Sequence, residues 1–130
     1  MQFIRLEHGK DQTMGPYNSS LIPSALVRLM ERETGFNFHS HPVPCDDGLN
    51  GVDYWDSNWY FGFKDWKSCI WWWYRGESGL RVAELYGFVF SVYEVHERED
   101  GRHQSCARIE GMKPIRTVKP MDLMKENQYV

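Results

Sequence analysis

Polar and apolar residues alternate from the start of the chain. Over Gln2–Glu7, Phe3, Arg5 and Glu7 fall on one side and Ile4 and Leu6 on the other. This is the period-two pattern of a half-buried strand. His8-Gly9-Lys10-Asp11 and then Gly15-Pro16 break it as loop. The spacing of Leu26, Leu29 and Met30 after Pro23 predicts a helix over 23–34, closed by Gly35. Residues 39–53 (HSHPVPCDDGLNGVD) hold two prolines, two glycines and three aspartates and read as a long loop, a feature that in compact domains is often functional. Asn58–Phe63 reads as a short aromatic strand. Asp65 is placed to cap a helix running to about Arg75 and ended by Gly76, with a further helical turn over Leu80–Leu85. Phe88–Val95 (FVFSVYEV) is the strongest strand signal. Glu99-Asp100-Gly101 then predicts a hairpin back through a return strand over Arg102–Ile109. Pro114 and Pro120 bracket an edge strand, Ile115–Val118, and residues 122–130 are expected to fray. The sum is one α+β domain over residues 1–130: a small, mostly antiparallel sheet with two helices to one side.

Composition narrows the functional classes. The chain has 130 residues, 42% hydrophobic and 25% charged, with a net charge of −3. That length supports a core without disulfides or metal, and that charge gives no general basic field for nucleic acid. Direct nucleic-acid binding is therefore not expected. The cysteines Cys45, Cys69 and Cys106 form no CxxC pair, which suggests a reducing compartment. No apolar run is long enough for a membrane helix, and MQFIRLEHGK is not a signal peptide. The expected location is cytoplasmic.

Aromatic residues change the picture most. All six tryptophans lie between Trp55 and Trp73, and eleven of the 21 residues from Tyr54 to Tyr74 are aromatic. On a helix from Asp65, Trp66, Cys69, Ile70 and Trp73 share one face, which should be core. Trp71 and Tyr74 point elsewhere, and Trp72 sits at the margin. Packing accounts for the first set. The second suits a binding surface, because Trp and Tyr bury large areas at low entropic cost. The expected partner-binding residues are Trp55, Trp59, Trp71, Trp72 and Tyr74, with Asp46 and Asp47 as rim charges. Exposed aromatics also leave a homodimer open.

Other chemistry is weaker. His39, His41 and Cys45 offer the ligand types of zinc, but their spacing matches no standard site, and a structural loop is the expected reading. Cys69 and Cys106 should be buried and inert. His96 and His103 flank the hairpin as surface residues. No phosphate-loop, dinucleotide, nucleophile-elbow or zinc-protease motif occurs.

The blocks Phe3-Ile4-Arg5-Leu6-Glu7-His8, Gly15-Pro16-Tyr17, Tyr60-Phe61-Gly62-Phe63, Trp73, Phe88–Val95 and Gly101 to Gln104 resemble small bacteriophage accessory proteins. That resemblance implies a protein that disarms host machinery. The expected form is inhibition of a host protein complex, such as a CRISPR-Cas immune effector, in the cytoplasm of a bacterial host, without a cofactor. The same blocks are distantly similar to the mono-ADP-ribosyltransferase fold. On that resemblance Arg5 or His8 would contact NAD, Tyr60 would stack near the nicotinamide, and Gln104 occupies the position that a glutamate fills in those enzymes.

Overall fold

The computed structural model describes residues 1–13, 15, 28, 47–49, 59–74 and 76–129. Six strands are present among them: β1 (Gln2–His8), β2 (Tyr60–Gly62), β3 (Phe88–Glu94), β4 (Arg98–Asp100), β5 (Ser105–Ala107) and β6 (Arg116–Val118). Two helices, α1 (Trp66–Trp73) and α2 (Glu77–Leu85), lie between β2 and β3, and a 3₁₀ helix covers Pro120–Tyr129. The strands form two three-stranded sheets, ordered β1-β3-β6 and β2-β5-β4. Every pairing is antiparallel. The α+β class read from the sequence holds. The helix expected over 23–34 lies outside the described residues, save for exposed, helical Arg28.

Alternation along β1 and β3 assigns each side chain to one of two cores. Even positions Ile4, Leu6, Phe88, Phe90 and Val92 face α1, α2 and the 3₁₀ helix, where Trp66, Cys69, Trp73, Leu80 and Leu123 complete the larger core. Odd positions Phe3 and Tyr93 face the second sheet and pack with Val95, Ala107 and Ile109. The register pairs Ile4 with Val92 and Phe3 with Tyr93, so both strands put matching residues on each face. β1 is therefore not half-buried: Phe3 through Glu7 are all buried. The second sheet covers the face that the alternation alone left to water.

A backbone bridge between Ile4 and Phe63 joins the two sheets. Ile4 N–H donates to Phe63 O at 2.8 Å, and Phe63 N–H donates to Ile4 O at 2.7 Å. This brings the two backbones so close that a Cβ on Gly62 would lie 2.2 Å from Ile4 O and 2.8 Å from Phe3 Cζ. Gly62 is the residue type that the approach requires.

Three local expectations are revised. The Asp100-Gly101 turn exists, but it joins β4 to β5, while β3 pairs with β1 and β6. β3 is the central strand of its sheet, with β1 on one edge and β6 on the other, so neither edge is left for a hairpin partner. Helix α2 starts at Glu77, earlier than the expected Leu80, because Gly76 ends the turn after α1 and is itself the N-cap of α2. The tail from Asp122 is held. Leu123 is fully buried against the helices, and Arg116 Nη2 donates to the Glu126 carboxylate at 2.6 Å. Two other expectations stand: Asp65 caps α1 by accepting from Ser68 N–H at 2.8 Å, and β6 is an edge strand.

Gly62→Ala should cost about 3 kcal/mol or more of stability, since the new methyl meets backbone rather than a flexible side-chain end. Urea denaturation checks this. A midpoint within error of the parent would show that the sheets can part at no cost.

Candidate functional site

Helix α1 sorts its aromatics by angle. At about 100° per residue, Trp72, Cys69, Trp73 and Trp66 fill an arc of roughly 120°, and all four are buried. Trp72, expected at the binding surface, is 3% exposed. It lies at the far flank of the arc and packs on Phe63 with ring centroids 5.7 Å apart, so a stripe of ordinary width takes both Trp72 and Trp73. Trp71 and Tyr74 fall outside the arc and are 40% and 52% exposed.

The loop between β4 and β5 completes this edge. The His103 ring stacks on Trp71, with centroids 4.4 Å apart and planes 11° from parallel. Asp47 fixes the loop beneath it. Its carboxylate accepts from His103 N–H at 3.0 Å and from Gln104 N–H at 2.8 Å, and its carbonyl accepts from Arg102 N–H at 2.9 Å. Asp47 is thus no rim charge: it is 1% exposed. Gly101 belongs to the same joint, since a Cβ there would lie 2.5 Å from both Asp47 O and Oδ2.

Beside Tyr74, a groove of about 270 Å³ opens between the end of α1, the start of α2 and the 3₁₀ helix. Tyr74, Leu80, Met121 and Met124 line it, with Glu77 at its edge. Of the two Met side chains, Met124 lies in the 122–130 tail that is expected to fray, and Met121 carries no site signal in the sequence. The sequence places His103 at the surface beside the hairpin, and no signal in it puts the ring on Trp71. Trp59 is half-buried beneath the Arg108 guanidinium, 4.7 Å from the ring centroid. Trp55, Asp46, His39, His41 and Cys45 lie outside the described residues.

The four residues of the ADP-ribosyltransferase resemblance do not converge. Arg5 and Tyr60 meet, with the guanidinium carbon 5.2 Å from the ring centroid. His8, three residues on, occupies the opposite face of β1. Its ring packs edge-on against Phe88, and its Nδ1 accepts from Lys10 N–H at 3.1 Å. Gln104 is buried in the Asp47 loop. Among the described residues no group of three metal-ligand side chains forms, and no helix is long and apolar enough to cross a membrane. The Cys69 and Cys106 thiols are buried; burial pushes Cys69 well up and Cys106 up to about 12, far from reactive thiolate.

Arg5 instead belongs to a buried polar cluster between the sheets. Its Nη1 donates to Phe61 O at 2.8 Å, and its Nε lies 3.4 Å from Glu7 Oε1. Tyr93 Oη donates to Glu7 Oε2 at 2.5 Å and accepts from Gln12 Nε2 at 3.2 Å. Glu7 is 3% exposed, and Oε1 takes no hydrogen bond. Burial pushes the Glu7 carboxyl above its ordinary value of 4.5; bonds from Tyr93 and Ser91 and the charge of Arg5 oppose this without cancelling it. The folded state therefore keeps a proton that the unfolded chain has lost. Glu7's contribution is fully present below 4.5 and is lost as pH rises through the higher folded value. Across that window the wild type should lose stability relative to Glu7→Gln. Urea midpoints of both proteins at a series of pH values test this, and the opposite slope would reject it.

Comparison with known proteins completes the description. The chain matches no curated protein and no solved structure, and nothing supports the ADP-ribosyltransferase resemblance. The family model described as Bacteriophage T4 Y00F protein matches residues 1–121. With nearly the whole chain covered, the protein belongs to the bacteriophage T4 Y00F family.

Proposed function

We propose that this phage protein acts by binding, not catalysis, and that it inhibits a host protein complex through the edge formed by Trp71, Tyr74 and the adjoining groove. The observation that carries the reading is the placement of two large, exposed aromatics on one edge of α1, beside a groove lined by Leu80, Met121 and Met124. Aromatic anchors next to a concave apolar surface are the usual makings of an interface hot spot. Membership of a phage family supports a partner in the host cell, of which a bacterial immune effector such as a CRISPR-Cas complex is one class. Trp59, half-buried under Arg108, lies by the Tyr60–Ala107 end of the small sheet and is not counted in this edge. The separation of His8 and Gln104 from the Arg5–Tyr60 pair favours binding over an NAD-dependent reaction.

The test compares tagged wild type, Trp71→Ala and Tyr74→Ala in affinity capture from host cells, followed by affinity measurement on the captured complex and an assay of its activity. Each variant should keep the parent's urea midpoint and lose about 2 kcal/mol of binding, roughly thirtyfold. Trp72→Ala, by contrast, should lose about 3–5 kcal/mol of stability, as a buried ring does. If both exposed variants capture and inhibit as the wild type does, the edge is not the interface.

A further inference from the structure

The smaller sheet is seated on ionisable side chains as well as apolar ones. Arg5, Glu7, Ser91 and Tyr93 stand on the face of β1 and β3 that this sheet covers. Glu7 is poorly served there as an anion. Its side chain is buried and its Oε1 receives no hydrogen bond. The Arg5 guanidinium comes only to 3.4 Å. It commits Nη1 to Phe61 O at 2.8 Å, and its Nε also faces Gln12 O at 3.4 Å. Tyr93 and Ser91 bond to the carboxyl from β3, and Asp11, in the loop after β1, adds a like charge. Tyr60, on β2, lies against Arg5 and is itself under the influence of Glu110. A carboxylate enclosed with one oxygen short of donors is costly. The neutral acid is the form that this seam accommodates.

The two cores differ in strength. Among the described residues the larger unites fourteen buried side chains from β1, β3, both helices and their surroundings. The smaller unites five: Phe3, Tyr93, Val95, Ala107 and Ile109. Besides these, the Ile4–Phe63 bridge, Arg5 on Phe61 O and Arg98 on Gln2 O tie the smaller sheet to β1. A layer held by so small a core opens at a lower free energy than the whole fold.

We propose that Glu7 is a proton-operated latch for the smaller sheet: protonated, it lets β2, β4 and β5 close on β1, and ionised, it drives them to open locally while the larger core stays folded. Burial holds the carboxyl above 4.5 in the closed state, and opening returns it to water. The closed state therefore keeps a proton that the open state releases. Closure is fully favoured below 4.5 and weakens as pH rises through the higher closed-state value. The loop that carries His103 to Trp71 belongs to this sheet, but the latch does not require that edge to bind anything.

Native-state hydrogen exchange of the intact chain tests this, in low urea from about pH 4 to about pH 8, with rates corrected for the intrinsic effect of pH. The amides of β2 and β5 should exchange through an opening that depends on urea far less than global unfolding does. In the wild type its equilibrium constant should climb with pH, by at most about tenfold per unit for a single proton. In Glu7→Gln it should stay flat. Tyr93→Phe, which removes a hydrogen bond to the carboxylate, should extend the climb to higher pH. Exchange of these amides only through global unfolding overturns the proposal. So does an opening whose pH dependence is missing from the wild type or survives in Glu7→Gln. Should Glu7→Gln fail to fold, the wild type and Tyr93→Phe still decide, since a climb that Tyr93→Phe leaves in place overturns the latch.

Discussion

Everything in this fold depends on β1 being a strand with no solvent face. Its even residues complete a core with three helices and its odd residues complete a second core with the smaller sheet. The pair of hydrogen bonds between Ile4 and Phe63 fixes the distance between those layers, and Gly62 is the absence of a side chain that makes the distance possible. Phe63 stands two residues before Asp65, which caps α1. The same junction that joins the sheets therefore sets where α1 starts, and with it which tryptophans face inward.

Two-sided burial has a cost that the Arg5–Glu7–Tyr93 cluster manages. A strand reading Phe-Ile-Arg-Leu-Glu would normally turn its charges to water. Here Arg5 and Glu7 are enclosed, and burial moves both toward neutrality, lowering Arg5 and raising Glu7. An enclosed ion pair stabilises little compared with apolar residues of the same volume. What the cluster does supply is direction. Arg5 reaches Phe61 O on β2, and Gln12 ties Tyr93 to Met112 O and Gly111 N–H. An apolar substitute would fill the space without specifying how the second sheet sits on the first.

Local signals in the sequence proved reliable where the interaction is itself local. The alternation of Phe88–Val95, the Asp65 cap, the Pro-bracketed edge strand and the Asp-Gly turn each depend on neighbours a few residues away, and each is found. What failed depends on distant residues. The hairpin's partner was misassigned because β3 is claimed by β1, more than eighty positions away. The tail was expected to fray because no pattern in Pro120–Tyr129 announces that Leu123 fills a gap between two helices. Trp72 was placed on the surface because the width of the buried arc is set by Phe63, which lies outside the helix. Asp47 looked like a rim charge because its partners, the amides of 103 and 104, are backbone and carry no sequence signature.

The candidate edge inherits its rigidity from these same long-range constraints. Trp71 is held by a helix whose opposite side is locked in the main core. The ring that stacks on it is presented by a loop that Asp47 grips through both carboxylate oxygens and its carbonyl. Neither anchor has to be ordered when a partner arrives, so little of the contact energy is spent on immobilising side chains. The groove beside Tyr74 has a different character. Two of its lining residues are methionines on the 3₁₀ helix, which is fastened to the body by Leu123 and by the Arg116–Glu126 pair. Methionine reshapes at low cost, so the edge pairs a fixed aromatic platform, which sets where a partner lies, with an adaptable pocket, which sets how closely its side chain is enclosed.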